Sequence, residues 1–204
     1  MLAKPNTGVL PIKNQNSNTA IISQAIIAIL PLSLATVPWG ILCGSLAIKA
    51  GLTPWQAQLM SLLVFAGAAQ LASITLLGAG GILSSIFSST FVISARHLLY
   101  SAVFQEHIRK LPWWQRCCTA FFLTDEMFAV TLAYIAKHKH FSLLYALSAG
   151  ISFYLIWNIA TFAGIVAGQY LPNLEQLGLE FAIAATFIAI VIPTVKNLAT
   201  LVSV

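Results

Sequence analysis

The stretch TAIISQAIIAILPLSLATVPWGILCGSLAI (residues 19–48) contains no Asp, Glu, Lys or Arg. A helix that spans a lipid bilayer needs roughly 20 consecutive, mostly apolar residues, and this stretch is longer. A second run without these charges, from Ala50 to Ala95, holds one full span and most of another. The two runs predict an all-α protein, a polytopic bundle of transmembrane helices.

The composition supports the same class. Of the 204 residues 59% are hydrophobic and 7% are charged, whereas soluble domains carry roughly 25% charged residues. The net charge of +5 comes from Lys and Arg scattered through the predicted loops, a pattern typical of membrane anchoring and not of a nucleic-acid-binding face. The cysteines Cys43, Cys117 and Cys118 lack the spacing of metal ligands, so no metal or other cofactor is predicted.

Apolar segments and breaks divide the chain into a polar N-terminal tail, residues 1–20, and one transmembrane domain, residues 21–204. Pro31 and Pro38 each remove a backbone hydrogen bond, so we expect the first span to be kinked or broken. The chain ends in apolar sequence, so we expect either a short C-terminus or a missing final element. About six spans are predicted, namely 21–48, 57–77, 82–104, 117–136, 141–170 and 178–200.

The third segment carries Arg96 and His97 inside apolar sequence. A charged side chain at the bilayer centre costs about 2.5–3.5 kcal/mol on insertion scales, so these residues need partners or a role. A narrow polar stripe predicted to face the bundle interior or a wet cavity contains Ser85, Ser89, Arg96 and Tyr100. For the serines, helix packing is an equally good interpretation.

The fourth segment, FFLTDEMFAV (residues 121–130), places Asp125 and Glu126 in the middle of a predicted span. Adjacent residues on a helix point about 100° apart, so the two acids need different partners. One interpretation pairs one acid with Arg96 and lets the other carry a proton or face substrate. The alternative is a structural ion pair that satisfies both acids.

Two amides add to these charges. Gln70 and Asn158 lie at lipid depth in the second and fifth segments. A cation for a carboxylate, acids for an ammonium group or a proton, and apolar walls suit a zwitterionic substrate with an aliphatic side chain. The predicted substrate-binding residues are Gln70, Arg96, Tyr100 and Asn158, and the residues predicted for proton coupling or an ion pair include His97, Asp125 and Glu126. Trp39, Trp55, Trp113 and Trp114 are interpreted as anchors at the membrane interfaces.

Four motifs resemble the AzlC family, the large subunits of bacterial branched-chain amino acid exporters related to BrnF and YgaZ. They are FAGAAQ (65–70), ARHLLYSA (95–102), LTDEMFAV (123–130) and GLEFAIAATFIAIVIP (178–193). The resemblance covers about residues 25–200. It adds Glu180 to the candidates for proton coupling, since the family commonly has Asp there. Chains of the family usually extend past the point where this one ends.

The resemblance implies a multi-pass secondary transporter in the bacterial inner membrane that exports valine, leucine, isoleucine and in some cases methionine, driven by the proton gradient. It also implies a small hydrophobic partner subunit of the AzlD, BrnE or YgaH type. The patterns Gly40-x-x-x-Gly44 and Gly164-x-x-x-Gly168 permit close docking of such a helix, or equally internal packing.

Two other classes of function stay open. One is a membrane scaffold whose buried ion pairs are purely structural. The other is an intramembrane enzyme that uses His97 with Asp125 or Glu126. Against the enzyme, the sequence contains no nucleophile elbow and no His-Glu-x-x-His motif.

Overall fold

The computed structural model describes residues 17–170, and within this range every regular element is an α-helix. The all-α prediction is therefore confirmed. The eight helices are α1 Asn18–Lys49, α2 Pro54–Val64, α3 Gly67–Gly78, α4 Leu83–Ser94, α5 Arg96–Ile108, α6 Trp113–Phe121, α7 Asp125–His138 and α8 Leu143–Tyr170.

α1 and α8 are the two helices in the described range that are individually long and apolar enough to cross a membrane. α1 runs as one helix of 32 residues through Pro31 and Pro38. Of the two outcomes predicted for this span, kinked or broken, the break is wrong and the kink stays a prediction. Helices in membranes accommodate proline when neighbouring helices and Ser or Thr side chains satisfy main-chain groups. Here α1 packs along α8.

Glycines bring α1 and α8 into direct backbone contact. A Cβ atom on Gly44 would overlap the Thr161 carbonyl oxygen, and one on Gly164 would overlap the Ile41 carbonyl oxygen. The two Gly-x-x-x-Gly patterns of the sequence thus face each other within one chain. Their interpretation as a docking surface for a second subunit is replaced by internal packing.

Each of the three spans predicted between α1 and α8 is split into two helices. The segment 57–77 is divided into α2 and α3, 82–104 into α4 and α5, and 117–136 into α6 and α7. The axes of α6 and α7 are bent by 117°, as in a broken span or a re-entrant loop. Counting that pair as one span raises the spans in the described range to three by length and composition. The segment 178–200 lies outside the described residues, so the total of about six stays a prediction.

Tertiary contacts explain the break between α2 and α3. Phe65, which ends α2, has a non-helical backbone (φ 2°, ψ 56°), and its ring packs edge-on against Tyr154 of α8 with centroids 4.9 Å apart. The Tyr154 hydroxyl donates to the Leu62 carbonyl at 2.9 Å. That carbonyl would accept from the amide of Ala66 if the helix continued. The aromatic packing and this cap together replace the lost helical bonding.

α4 is the least covered helix, because none of its residues is buried. It contacts α3 through Thr90, whose Oγ1 lies 2.8 Å from Ser73 Oγ. Ser85 is consequently exposed and Ser89 half-buried, so the prediction that Ser85 faces the interior is wrong. Large apolar side chains of α4 are exposed beside its serines, with Phe87 71% and Phe91 70% accessible, and these suit a lipid environment.

Candidate functional site

The three helix breaks meet at one small enclosed space, called here the central cavity. Its volume is about 40 Å³. The middle of α1 and of α8 completes its wall. The residues that line it are Thr36, Trp39, Phe65, Ala66, Gly67, Ala68, Arg96, His97, Thr124, Asp125, Glu126, Phe153 and Trp157.

An ion pair joins two of the breaks. Arg96, the first residue of α5, places Nη1 2.8 Å from Oδ2 of Asp125, the first residue of α7. The two side chains are 34% and 38% exposed. The Nε–H of Arg96 is buried and has no hydrogen-bond acceptor among the described residues. The guanidinium therefore keeps one donor available for a second anion.

Asp125 and Glu126 lie at the start of α7, at the break inside the predicted span 117–136. Thr124 is the N-cap of α7, and its Oγ1 accepts from the Met127 amide at 3.3 Å. Carboxylates in the first turn of a helix are stabilised by the helix dipole, typically by about 0.3–1 kcal/mol. The bend before Thr124 thus presents both acids to the central cavity from a favourable electrostatic position.

The N-terminus of α3 supplies a complementary feature. Its N-cap, Ala66, offers no side-chain hydrogen bond, and Ala66, Gly67 and Ala68 all line the cavity. The first N–H groups of a helix have no acceptor within the helix and bind anions readily. A Cβ on Gly67 would lie 2.8 Å from the Trp157 ring. Glycine is needed here because the backbone presses directly on that ring.

His97 and Tyr100 lie close to the acids in different roles. The Nδ1–H of His97 donates to the Ser94 carbonyl at 3.0 Å, a carbonyl left free because the next amides bond differently at the break. This bond fixes the neutral ring as the tautomer with Nε2 unprotonated. Tyr100 does not line the cavity. Its ring stacks on Phe128 at 4.4 Å and its hydroxyl faces the Asp125 carboxylate.

Gln70 and Asn158 are held away from the central cavity in a separate polar network. Gln70 Nε2 donates to Ser61 Oγ at 2.6 Å, and Ser61 Oγ donates to Thr161 Oγ1 at 3.1 Å. Asn158 Oδ1 accepts from Gln58 Nε2 at 3.1 Å. These bonds join α2 and α3 to α8. Of the predicted site residues, Glu180 lies outside the described residues.

Several lining residues were not predicted as part of the site. Trp39 lines the cavity, whereas its sequence context predicted a position at a membrane interface. Trp157 has a buried Nε1–H with no acceptor in the range 17–170. The position of Thr124 could have been predicted from the sequence, because Thr followed by two acids is typical of a helix N-terminus.

Helical breaks around a charged cavity define a class, the helical membrane proteins of transporter type, whose sites lie at interrupted helices. The chain belongs to the AzlC family: the family described as AzlC protein matches residues 31–171. The resemblance seen in the sequence is thereby confirmed, as are the membrane location and a role related to membrane transport.

Individual relatives of the chain are also membrane proteins. An uncharacterized membrane protein of Archaeoglobus fulgidus is 33% identical over 184 residues, 89% of this chain and 79% of the relative. An uncharacterized membrane protein of Helicobacter pylori strain 26695 is 27% identical over 78% of this chain and 68% of the relative's length. The inner membrane protein YgaZ of Escherichia coli is 25% identical over 82% of this chain and 71% of the relative's length. No solved structure matches the chain significantly.

Proposed function

We propose that this protein is the large subunit of a secondary transporter that exports valine, leucine, isoleucine and methionine across the bacterial inner membrane, coupled to protons. The observation that carries the proposal is the meeting of Arg96, Asp125 and Glu126 with an uncapped helix N-terminus in one cavity. This set of groups offers both signs of charge to a zwitterion. Apolar and aromatic neighbours offer a wall for an aliphatic side chain.

The two charged ends of an amino acid have distinct partners in this arrangement. The carboxylate is bound by the N–H groups of the first turn of α3 and by the free Nε–H of Arg96. The ammonium group is bound by Glu126, because Asp125 already faces the guanidinium. Phe65, Phe153 and Trp157 contact the side chain of the substrate.

The size of the cavity implies that the site must open. Its 40 Å³ exceeds the roughly 10–15 Å³ that one water molecule needs but is far below the ~300–1,000 Å³ typical of ligand pockets. The described conformation therefore excludes an amino acid. The three breaks are the places where short helices can move against the continuous pair α1 and α8, as alternating access requires.

Proton coupling is assigned to Glu126. Of the two acids at the start of α7, Asp125 has an arginine partner at 2.8 Å, and Glu126 has no cation in an ion pair among the described residues. A carboxyl group without a fixed cation can exchange between a bound proton and the ammonium group of the substrate. His97, with Nε2 unprotonated in the neutral ring, lines the same cavity and is a second acceptor.

Flux measurements in proteoliposomes test the function. Vesicles loaded with labelled leucine and containing the protein should release it faster than empty vesicles, and unlabelled valine should compete while lysine should not. Arg96→Lys should reduce release strongly, because a single ammonium does not replace the fork of donors of a guanidinium. Lys110→Arg, on the exposed loop after α5, is the matched control. Absence of leucine release with and without a partner subunit would reject the proposal.

A small hydrophobic subunit of the AzlD, BrnE or YgaH type is proposed as the partner. The family resemblance supports this partner. The glycine patterns do not add support, because they pack α1 against α8 within the chain. We expect the two proteins to copurify in mild detergent, and export to be low when this chain is expressed alone. Full leucine release from the purified single chain would contradict the need for a partner.

The ion pair also favours a second candidate, a scaffold whose charges are structural. In that case the Arg96–Asp125 contact only joins α5 to α7. Arg96→Ala would then lower thermal stability without any effect on substrate binding. Protection of the wild-type protein by leucine against thermal unfolding, lost in Arg96→Lys, would reject the scaffold.

A further inference from the structure

A second, larger concavity lies between α5 and α6, apart from the central cavity. This groove has a volume of about 490 Å³. From α5 it is lined by Leu98, Ala102, Gln105 and the following Arg109, at helical spacings of three and four residues. From α6 it is lined by Trp113, Arg116, Cys117 and Ala120, again on one helical face.

The charge in the groove has one sign. Arg109 and Arg116 both line it, and neither forms an ion pair with an acid of residues 17–170. Glu106, the acid closest in sequence, is exposed and is not a lining residue. An amino acid substrate would need an acid for its ammonium group, as in the central cavity. The groove instead fits a ligand that is purely anionic at one end.

The rest of the groove is apolar and exposed. Leu98 is 66% and Trp113 75% accessible, and Ala102 and Ala120 are also exposed. The sequence at the basic end, Arg109-Lys-Leu-Pro-Trp-Trp-Gln-Arg116, combines cations with tryptophans. That combination is typical of the level of lipid headgroups, where tryptophan anchors a protein.

We propose that the groove between α5 and α6 binds an anionic membrane phospholipid. The phosphate lies between the guanidinium groups of Arg109 and Arg116, which match phosphate oxygens with paired donors. One acyl chain lies along Leu98, Ala102 and Ala120. Basic pockets between membrane helices bind anionic headgroups in this way. The inference does not depend on the transported substrate.

Two neighbouring cysteines allow a direct test. Cys117 lines the groove and Cys118 does not, yet both are exposed. Variants that keep only Cys117 or only Cys118 are reconstituted into phosphatidylcholine vesicles, with or without phosphatidylglycerol, and labelled with an uncharged maleimide. Each cation near an anionic surface contributes about a fivefold preference. We therefore expect phosphatidylglycerol to slow labelling of Cys117 roughly fivefold or more, while Cys118 reports the general effect of the charged surface.

Substitutions identify the groups responsible. Arg109→Gln with Arg116→Gln should remove the difference between the two lipids in the labelling of Cys117. Lys137→Gln with Lys139→Gln, at the C-terminal end of α7, should leave that difference unchanged. Glycerol phosphate added to phosphatidylcholine vesicles should not protect Cys117, which separates a lipid from a free phosphate. Equal slowing of Cys117 and Cys118, or protection that persists in the arginine double variant, would overturn the proposal. The comparison of the two lipids in protein that keeps both arginines tests the proposal even when the arginine double variant does not fold.

Discussion

The pair formed by α1 and α8 differs from the three interrupted pairs α2–α3, α4–α5 and α6–α7 in how backbone groups are satisfied. α1 and α8 are continuous for 32 and 28 residues and contact each other through glycine backbone. The interrupted pairs end their helices inside the predicted spans 57–77, 82–104 and 117–136. In lipid no hydrogen-bond partners are available, and each unsatisfied group costs several kcal/mol. Breaks of this kind are tolerated only where other groups replace the helical bonds.

A side chain caps a helix end at every one of the three breaks. Tyr154 donates to the Leu62 carbonyl at the end of α2, His97 donates to the Ser94 carbonyl at the end of α4, and Thr124 accepts at the start of α7. No side chain caps the start of α3 or the start of α5. The comparison shows that the continuous pair α1 and α8 supports the fold, and that a ligand gains most where the open start of α3 lines the same cavity as the Arg96–Asp125 pair.

The largest effect is expected at the contact between α1 and α8. Gly164→Leu places a side chain against the backbone of α1 at Ile41. Backbone cannot move aside as a side chain can, so the cost should exceed the roughly 1–3 kcal/mol typical of overpacking. We expect little folded, monodisperse protein in detergent by size-exclusion chromatography. Ala163→Leu, at the exposed neighbouring position, is the control and should behave as wild type. A stable Gly164→Leu protein would mean that α1 and α8 are not packed as described.

The next largest effect concerns the charged pair. Asp125→Asn should abolish leucine release and lower thermal stability only modestly. The Arg96 and Asp125 side chains are 34% and 38% exposed, and exposed ion pairs contribute about 0.2–1 kcal/mol. Glu106→Gln, an exposed acid on α5, is the control for charge. Flux and melting temperature are measured on the same preparations. A variant that loses stability and flux in proportion would point to a structural pair.

Glu126→Gln should have a narrower effect, because it removes a proton site and keeps the shape of the side chain. We expect exchange of external for internal leucine to continue, while accumulation driven by an imposed pH gradient is lost. Comparing exchange and gradient-driven flux in the same vesicles measures the difference. If gradient-driven accumulation persists at the wild-type level, proton coupling resides elsewhere, with His97 of the same cavity as the next residue to substitute.

Sequence patterns located the membrane class, the long helices and the charged residues, because these depend on apolar length and on the scarcity of charge. They did not locate the breaks. At Phe65 the local sequence favours a continuing helix, and the break depends on the ring and hydroxyl of Tyr154, almost ninety residues later. Helical spacing carried through such a break misplaced Ser85. In the sequence, Gln70 and Asn158 could not be distinguished from Arg96, because all three are polar residues in apolar segments. A buried polar residue gives the same pattern whether it belongs to a packing network or to a cavity wall.

The smallest effect tests the caps. Tyr154→Phe keeps the aromatic packing against Phe65 and removes only the hydroxyl that donates to the Leu62 carbonyl at 2.9 Å. Polar contacts between membrane helices contribute about 0.6 kcal/mol on average and up to about 1.7 kcal/mol, so the melting temperature should fall slightly. Tyr170→Phe, at the 78% exposed end of α8, should leave it unchanged. If the break is maintained by this cap, Tyr154→Phe should also raise hydrogen exchange of amides around residues 62–66 more than elsewhere in α2. Unchanged exchange there would show that the aromatic ring alone holds the break, and that the hydroxyl merely occupies a carbonyl which the bend has already freed.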